Sequence, residues 1–156
     1  MTEVDTIFTA FNFIVSIQLG DATTDPLCDA AFAECSGLEV VMDVKKIREG
    51  GNNVGPVQLA GPTSYGTLSL KRGMTRSLDL WDWVERVARD DGRSLRATCE
   101  VEMLPMDRSD PVLTFVLTGC LPTKIKAPAL NALSGQVAIE ELDIAYESLH
   151  LRRGGQ

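Results

Sequence analysis

Through much of this chain apolar residues recur at every second position, the period of a strand with one buried face. In "FNFIVSIQL", Phe11, Phe13, Val15, Ile17 and Leu19 alternate with Asn12, Ser16 and Gln18. "GDATTDP" then collects turn residues. Leu38, Val40, Met42 and Val44 alternate against Glu39 and Asp43, with Ser36-Gly37 placed to form a bulge in a single strand. Leu68 and Leu70 alternate with Thr67, Ser69 and Lys71. Leu95, Ala97, Cys99, Val101 and Met103 oppose Arg96, Thr98, Glu100 and Glu102, and Leu113, Phe115 and Leu117 oppose Thr114, Val116 and Thr118. "LPTKIKAPALNALSG" is predicted to be irregular, because Pro122 and Pro128 block regular pairing. In the last strand, "QVAIEELDIAYESLHL", the apolar phase changes at Glu140-Glu141. A bulge there would turn Val137 and Ile139, then Leu142, Ile144 and Tyr146, to one side.

One stretch has helical period instead. In "SLDLWDWVERVARDDG", Leu80, Trp81, Val84, Val87 and Ala88 form a single apolar stripe, which predicts a helix over about 78–90. Ser77 or Asp79 can cap it, Asp79 and Asp82 suit its positive end, Arg86 and Arg89 its negative end, and Gly92 its stop. Leu80, Trp81, Trp83 and Val84 are the expected core residues of this helix. Many alternating strands and one helix predict an antiparallel β-sandwich or barrel with a flanking α-helix. The chain reads as one domain over 1–156, with a long loop over about 45–66 and a flexible tail at 152–156.

That loop lies in "KKIREGGNNVGPVQLAGPTSYGTLSLKR", which is basic at both ends and glycine-rich between them. Phosphate binding of the Walker kind needs G-x-x-x-x-G-K-[ST] leading from a strand into a helix. Here Gly50-Gly51-Asn52-Asn53 leads to Pro56, Val57 and Gln58 and then a strand, so no phosphate cradle is expected. The glycines instead supply positive-φ conformations for a loop tip.

Other chemistry fails on similar grounds. Cys28, Cys35, Cys99 and Cys120 show no C-x-x-C spacing, so buried free thiols are expected rather than a zinc site. The only histidine, His150, has no G-x-S-x-G elbow to serve. Glu140 and Glu141, adjacent on a strand, point to opposite faces, and Asp90-Asp91 reads as a solvated pair at a helix end. No catalytic residue, cofactor or metal is therefore expected. The net charge of −7 argues against nucleic-acid binding, which needs excess Lys and Arg. No apolar run approaches the ~20 residues of a membrane span, and the N-terminus lacks a basic n-region, so neither membrane insertion nor a signal peptide is expected.

The order of motifs is more specific than any one of them. "FxFxVxI", "FAECSGLEV", "IREGGNN", "LAGPTSYGTLSLKRGMT", "LWDWV" and "VAIEELDIAYESL" together resemble the inner tube proteins of contractile phage tails. The likeness is strongest to the tube proteins of phage-derived extracellular contractile injection systems, and it runs from about Phe11 to Leu149. "PMDRSDP" and the cysteines other than Cys35 depart from it. The resemblance implies a tail-tube fold and rings of six copies stacked into a hollow tube, inside a contractile sheath that drives it through a target envelope. Its partners would be further copies, the sheath protein, baseplate or hub and terminator proteins, and cargo in the lumen. Assembly in the cytoplasm, as part of a released or anchored particle, follows from the same likeness.

In such a tube the long loop contacts the neighbouring ring, which assigns inter-ring contact to Lys45, Lys46, Arg48, Glu49, Gly50, Gly51, Asn52, Asn53 and Leu59. Lys71 and Arg72 add surface charge for stacking, and Thr98, Glu100, Glu102, Thr114 and Thr118 are candidates for the channel lining. Alternatives within the resemblance are a specialised ring near the baseplate and the tube of a type VI secretion system. A small ligand-binding β-barrel is the alternative of another class.

Overall fold

The computed structural model describes residues 12–20, 26–51, 53–90 and 96–154. Phe11, the turn at 21–25, Asn52, Asp91, Gly92, Leu95 and residues 155–156 lie outside the described residues. The elements in chain order are β1 (Phe13–Leu19), β2 (Cys28–Ala30), β3 (Glu34–Ser36), β4 (Val40–Ile47), β5 (Val57–Tyr65), β6 (Thr67–Gly73), α1 (Asp79–Arg89), β7 (Ala97–Met103), β8 (Leu113–Lys126), β9 (Ile139–Ala145) and β10 (Ser148–Arg153). Eight strands make one antiparallel sheet in the order β2-β1-β7-β8-β9-β6-β3, with β10 pairing β8, while β4 and β5 pair only with each other.

β8 is the spine. Its first part lies between β7 and β10, and its second part pairs with β9. The sheet therefore folds about β8 into two halves, β2-β1-β7-β8-β10 and β8-β9-β6-β3. Their free edges, β2 and β3, are separated by only three residues of chain, which leaves an almost closed barrel. Two irregularities let β8 make this turn. Between Leu117 and Cys120 the register with β7 shifts, with Gly119 at φ 64, so both Leu117 and Cys120 point inward. A second shift, between Pro122 and Lys124, turns Ile125 toward the core.

The region after Cys120 is thus strand rather than irregular chain. Pro122 sits next to a break in the ladder, where a missing N–H is tolerated. The last strand also differs from expectation. No bulge falls at Glu140-Glu141, where pairing with β6 is unbroken and Glu140, Leu142 and Ile144 all point inward. Val137 lies outside the strand and exposed. The interruption comes instead at 146–147, and β10 carries the pairing through Arg153, which belongs to a strand and not to a frayed tail.

The core between the half-sheets is Val15, Ile17 and Leu19 of β1, Leu68 and Leu70 of β6, Cys99 and Val101 of β7, Leu117 and Cys120 of β8, and Leu142 and Ile144 of β9. The helix adds Leu80 and Trp83, both fully buried, with Val84 and Val87 packed at the margin. Trp81 is half-buried. No side chain caps the helix at Leu78, and Ser77 donates its N–H to Thr75 instead. Asp79 takes the capping role one residue later, its carboxylate accepting from Leu80 N at 2.8 Å.

The inward row of β6 and β9 reads Leu68 opposite Ile144, Leu70 opposite Leu142, and Arg72 opposite Glu140. This last rung is an ion pair inside the barrel, with Arg72 6 % and Glu140 2 % exposed. Arg72 Nε donates to Glu140 Oε1 at 2.5 Å, and its Nη2 pairs with Asp79 at the helix start. Nη1 reaches Cys28 Sγ at 3.4 Å, and the guanidinium lies 5.5 Å from the Phe32 ring centroid. Trp81 Nε1 donates to Glu140 Oε2 at 2.9 Å. Arg72 is therefore not a stacking charge on the surface. Burial alone would lower the Arg72 pKa, but the hydrogen bonds to Asp79 and Glu140 raise it above the ordinary value, so the charge is permanent. Burial pushes Asp79 up, but the Arg72 and Leu80 hydrogen bonds outweigh it and hold this carboxyl below its usual value.

Three outcomes are expected. Trp83→Ala should cost about 3–5 kcal/mol of unfolding free energy in urea, and Trp81→Ala less, since only Trp83 is wholly enclosed. Equal melting of Trp83→Ala and the parent chain would show that the helix is not packed as described. Glu140→Ala should cost about 1.5–3 kcal/mol, the scale of a lost hydrogen bond to a charged group, because Asp79 still pairs with the buried Arg72. Asp79 has its pKa lowered by folding, so its contribution is present above about pH 4 and is lost as pH falls through the depressed folded value. Acid denaturation followed by circular dichroism should therefore be flatter for Asp79→Asn than for the parent chain.

Candidate functional site

The described residues hold no group of three or more His, Cys, Asp or Glu side chains placed to share a metal ion. All four cysteines are free thiols. Burial, followed by the nearby Asp79 charge, pushes Cys28 up to about 12, and burial pushes Cys35 up to about 11. Hydrogen bonding to Cys120 and burial raise Cys99 well above its ordinary value. These three thiols stay protonated near neutral pH, as space-filling groups rather than nucleophiles. The Arg72–Glu140–Asp79 cluster is closed over by Trp81 and Phe32 and leaves little of its charge open to a solute.

The glycine-rich stretch takes a different form from the expected loop. Residues 45–66 are mostly strand, because β4 runs to Ile47 and pairs with β5 from Val57 to Tyr65. Only residues 48–56 form the turn. The register shifts between Met42 and Val44, where Gly61-Pro62 stand opposite Asp43. Gly61 is required there, since a Cβ would lie 2.8 Å from Asp43 O. This bulge makes a strand of a segment that Gly and Pro otherwise mark as broken.

The result is a two-stranded arm. Eight residues of β4 at roughly 3.4 Å each give it a length of about 27 Å. One side carries Val40, Met42 and Val44 beside Tyr65, Thr63 and Ala60, and the other carries Val41, Lys45 and Ile47 beside Ser64, Leu59 and Val57. Every residue of β4 is exposed. Lys45, Lys46 and Leu59 lie along the arm, and Arg48, Glu49, Gly50, Gly51 and Asn53 form its tip, all of them exposed. Gly51 (φ 89) and Gly55 (φ 135) occupy left-handed conformations in that turn. The chain leaves the tip directly into β5, with no helix N-terminus facing it.

The root of the arm is fixed to the barrel. Ser36-Gly37 is a corner where the chain leaves the sheet, and not a bulge within one strand. Gly37 has φ 92, and a Cβ there would fall 1.8 Å from Thr67 O. Tyr146 OH donates to Gly37 O at 2.7 Å and lies 3.2 Å from Glu39 N, which donates to it. The Tyr146 ring also lies 5.6 Å from that of Tyr65 at the base of β5.

The row suggested for a channel lining is coherent in part. Thr98, Glu100, Glu102 and Thr118 share the outward face of the first half-sheet with Ser16, Gln18, His150 and Arg152, and with the half-buried Ile14 and Val116. Arg152 Nη2 lies 3.5 Å from Glu100 Oε2, and the Thr118 and Ser148 hydroxyls are hydrogen-bonded. Thr114 shares this face but is only 3 % exposed. Its strand partners are Glu102 and Arg152, whose longer side chains flank it, so it does not line an open surface. No helix among the described residues is long and apolar enough to cross a membrane.

Comparison with known proteins gives this geometry a context. The family described as T4-like virus tail tube protein gp19 matches residues 9–150. A chain of the anti-feeding prophage baseplate is 29% identical, with a TM-score of 0.82 over 96% of this chain and 98% of the other. A chain of the PVC sheath-tube complex, an extracellular contractile injection system, is 18% identical with a TM-score of 0.79, covering 96% of this chain and 94% of the other. Hcp1 from Flavobacterium johnsoniae is more distant in fold, at 16% identity and a TM-score of 0.50 over 90% of this chain and 96% of the other. Curated protein sequences yield no match. An almost closed barrel with a projecting arm, matched over nearly its whole length by one family, is a structural part: the chain belongs to the T4-like virus tail tube protein family.

Proposed function

We propose that this tail tube protein is a non-enzymatic subunit of the inner tube of a contractile injection system, with six copies closed into a ring and rings stacked into a hollow conduit. The observation that carries the reading is the arm. A two-stranded hairpin with no sheet or helix behind it is at best marginally stable in water. This one leaves Met42 62 % and Val44 56 % exposed, so it gains a packed environment only from another molecule. Lys45, Lys46, Arg48, Glu49, Gly50, Gly51, Asn52, Asn53 and Leu59 are the inter-ring contacts in this reading. Lys45, Lys46 and Arg48 meet the acidic surface of a neighbour whose net charge is −7.

Ring closure uses strand edges, since the unpaired edges of an open sheet are satisfied when a ring joins them. The outward polar row, Thr98, Glu100, Glu102 and Thr118, faces the channel and offers passing cargo little apolar area to adhere to. A sheath, a baseplate and a terminator are the partners this role requires. Assembly takes place in the cytoplasm.

The 29% identical relative comes from a baseplate, which favours a second reading within the same role. In it the chain is a specialised ring at the baseplate end of the tube. Purified protein that stops at single rings would select that reading, and tubes of unlimited length the first. Light scattering that finds only monomers at high concentration would exclude both.

Met42 and Thr63 are cross-strand partners, so replacing residues 43–62 by a two-residue turn shortens the arm without touching the barrel. This variant should melt like the parent and form rings that no longer stack in negative-stain images. Long tubes from it would contradict the reading. Cysteines placed at Glu100 and Thr118 should react with small maleimides but not with a large polymer-linked one in assembled tubes. Equal reaction with both reagents would put that face outside.

A further inference from the structure

Large apolar side chains are exposed mainly in two places. One is the arm, ending in Val54 at its tip, 98 % exposed. The other is an arch, residues 127–138 between β8 and β9, where Leu130 is 91 %, Leu133 98 % and Val137 77 % exposed. The arch encloses an open concavity of about 840 Å³ lined by Pro128, Leu130, Ala132, Val137 and Ile139 among others. It holds its own shape: Asn131 Oδ1 accepts from Leu133 N at 3.0 Å, Asn131 O from Ser134 N at 3.2 Å, and Ser134 Oγ from Gln136 N at 3.3 Å. From Ala127 to Ala138 the sequence has no charged residue, so covering the arch strips water from no ion.

The strand register places these two surfaces at opposite ends of the second half-sheet. β6 begins beside the root of the arm, where Gly66 N donates to Glu39 O and Thr67 pairs with Ala145. It ends at Gly73 opposite Ile139, just after the arch, and Met74 N donates to Ala138 O. The seven residues of β6 span about 20 Å at roughly 3.3 Å each. The arm leaves one end of the second half-sheet, and the arch stands at the other.

We propose that the arch is the receptor for the arm, with residues 54–56 of one copy seated in the concavity of the next copy along the tube. The occupant is a second copy because each chain carries one arm tip and one arch at opposite ends. Such unlike surfaces join head to tail and keep adding copies in one direction, whereas like surfaces stop at a pair. The inference rests on the tube reading and adds to it the surface that receives the arm. Neither surface is part of the barrel core, so changing either leaves the subunit folded.

Tubes of the chain carrying both Val54→Cys and Leu130→Cys, the latter in the lining of the concavity, should give, after mild oxidation, a ladder of covalent multimers on denaturing gels. Either substitution alone should give none, as should the parent chain. Leu130→Asp should lower the yield of sedimentable tubes about tenfold or more, the scale of one leucine burial, without changing ring formation or melting. Parental tubes with no ladder from the double variant, or an unchanged tube yield for Leu130→Asp, would overturn the arch assignment and leave the tube reading intact. Dimers from Leu130→Cys alone would put arch against arch and also overturn it. A parent chain that never assembles beyond one ring would overturn the arch assignment together with the stacked-tube reading, and would select the baseplate-ring reading.

Discussion

The position of Arg72 constrains much of the barrel. Its guanidinium joins Glu140 of β9, Asp79 at the start of α1, and the Cys28 sulfur of β2, with the Phe32 ring nearby. One side chain thus connects the two chain segments nearest the sheet's free edges to its second half and to the helix. Burying an arginine costs several kcal/mol, which these partners must offset, so the arrangement tolerates little displacement. The cluster fixes geometry more than it adds stability. It sets where the helix starts and brings Leu80 and Trp83 over the core.

That fixed barrel leaves the arm outside it. The arm's contacts with the barrel are concentrated at its root, in Gly37, Tyr146 and Tyr65, while its two strands share no sheet with the rest. Folding and assembly consequently draw on different residues. The inward rows of β1, β6, β7, β8 and β9 stabilise the subunit, and in the proposed assembly the exposed apolar residues of β4, β5 and the arch meet neighbours. A tube subunit benefits from this separation, because a chain that satisfied all its apolar surface alone would have little reason to stack.

Period-two alternation made the inward faces of β1, β6 and β7 legible, and the helix was legible from its stripe and flanking charges. The arm was harder. Gly61-Pro62 signals a break, and only pairing with Asp43 across a bulge makes it part of a strand. Arg72 and Glu140 were in view, since Arg72 has the parity of Leu68 and Leu70, and Glu140 that of Leu142 and Ile144. Reading charge as exposure concealed what the spacing stated. β8 was obscured because its inward set changes phase twice, at Gly119 and after Pro122. Thr114 is buried by residues of two other strands, which no local pattern encodes. Of the candidate site, the sequence marked the glycine-rich tip and the surface charges; the arch carries no motif, and only the sheet register shows that it lies opposite the arm.

The central claim is that the barrel is complete in the free subunit and the arm is completed by assembly. Amide hydrogen exchange, compared between free subunits or rings and assembled tubes, tests it most directly. The account predicts that β4 and β5 exchange rapidly before assembly and become protected in tubes, while β6, β8 and β9 are protected equally in both. An arm already as protected as the barrel in the free subunit, or one that stays unprotected in tubes, would contradict it.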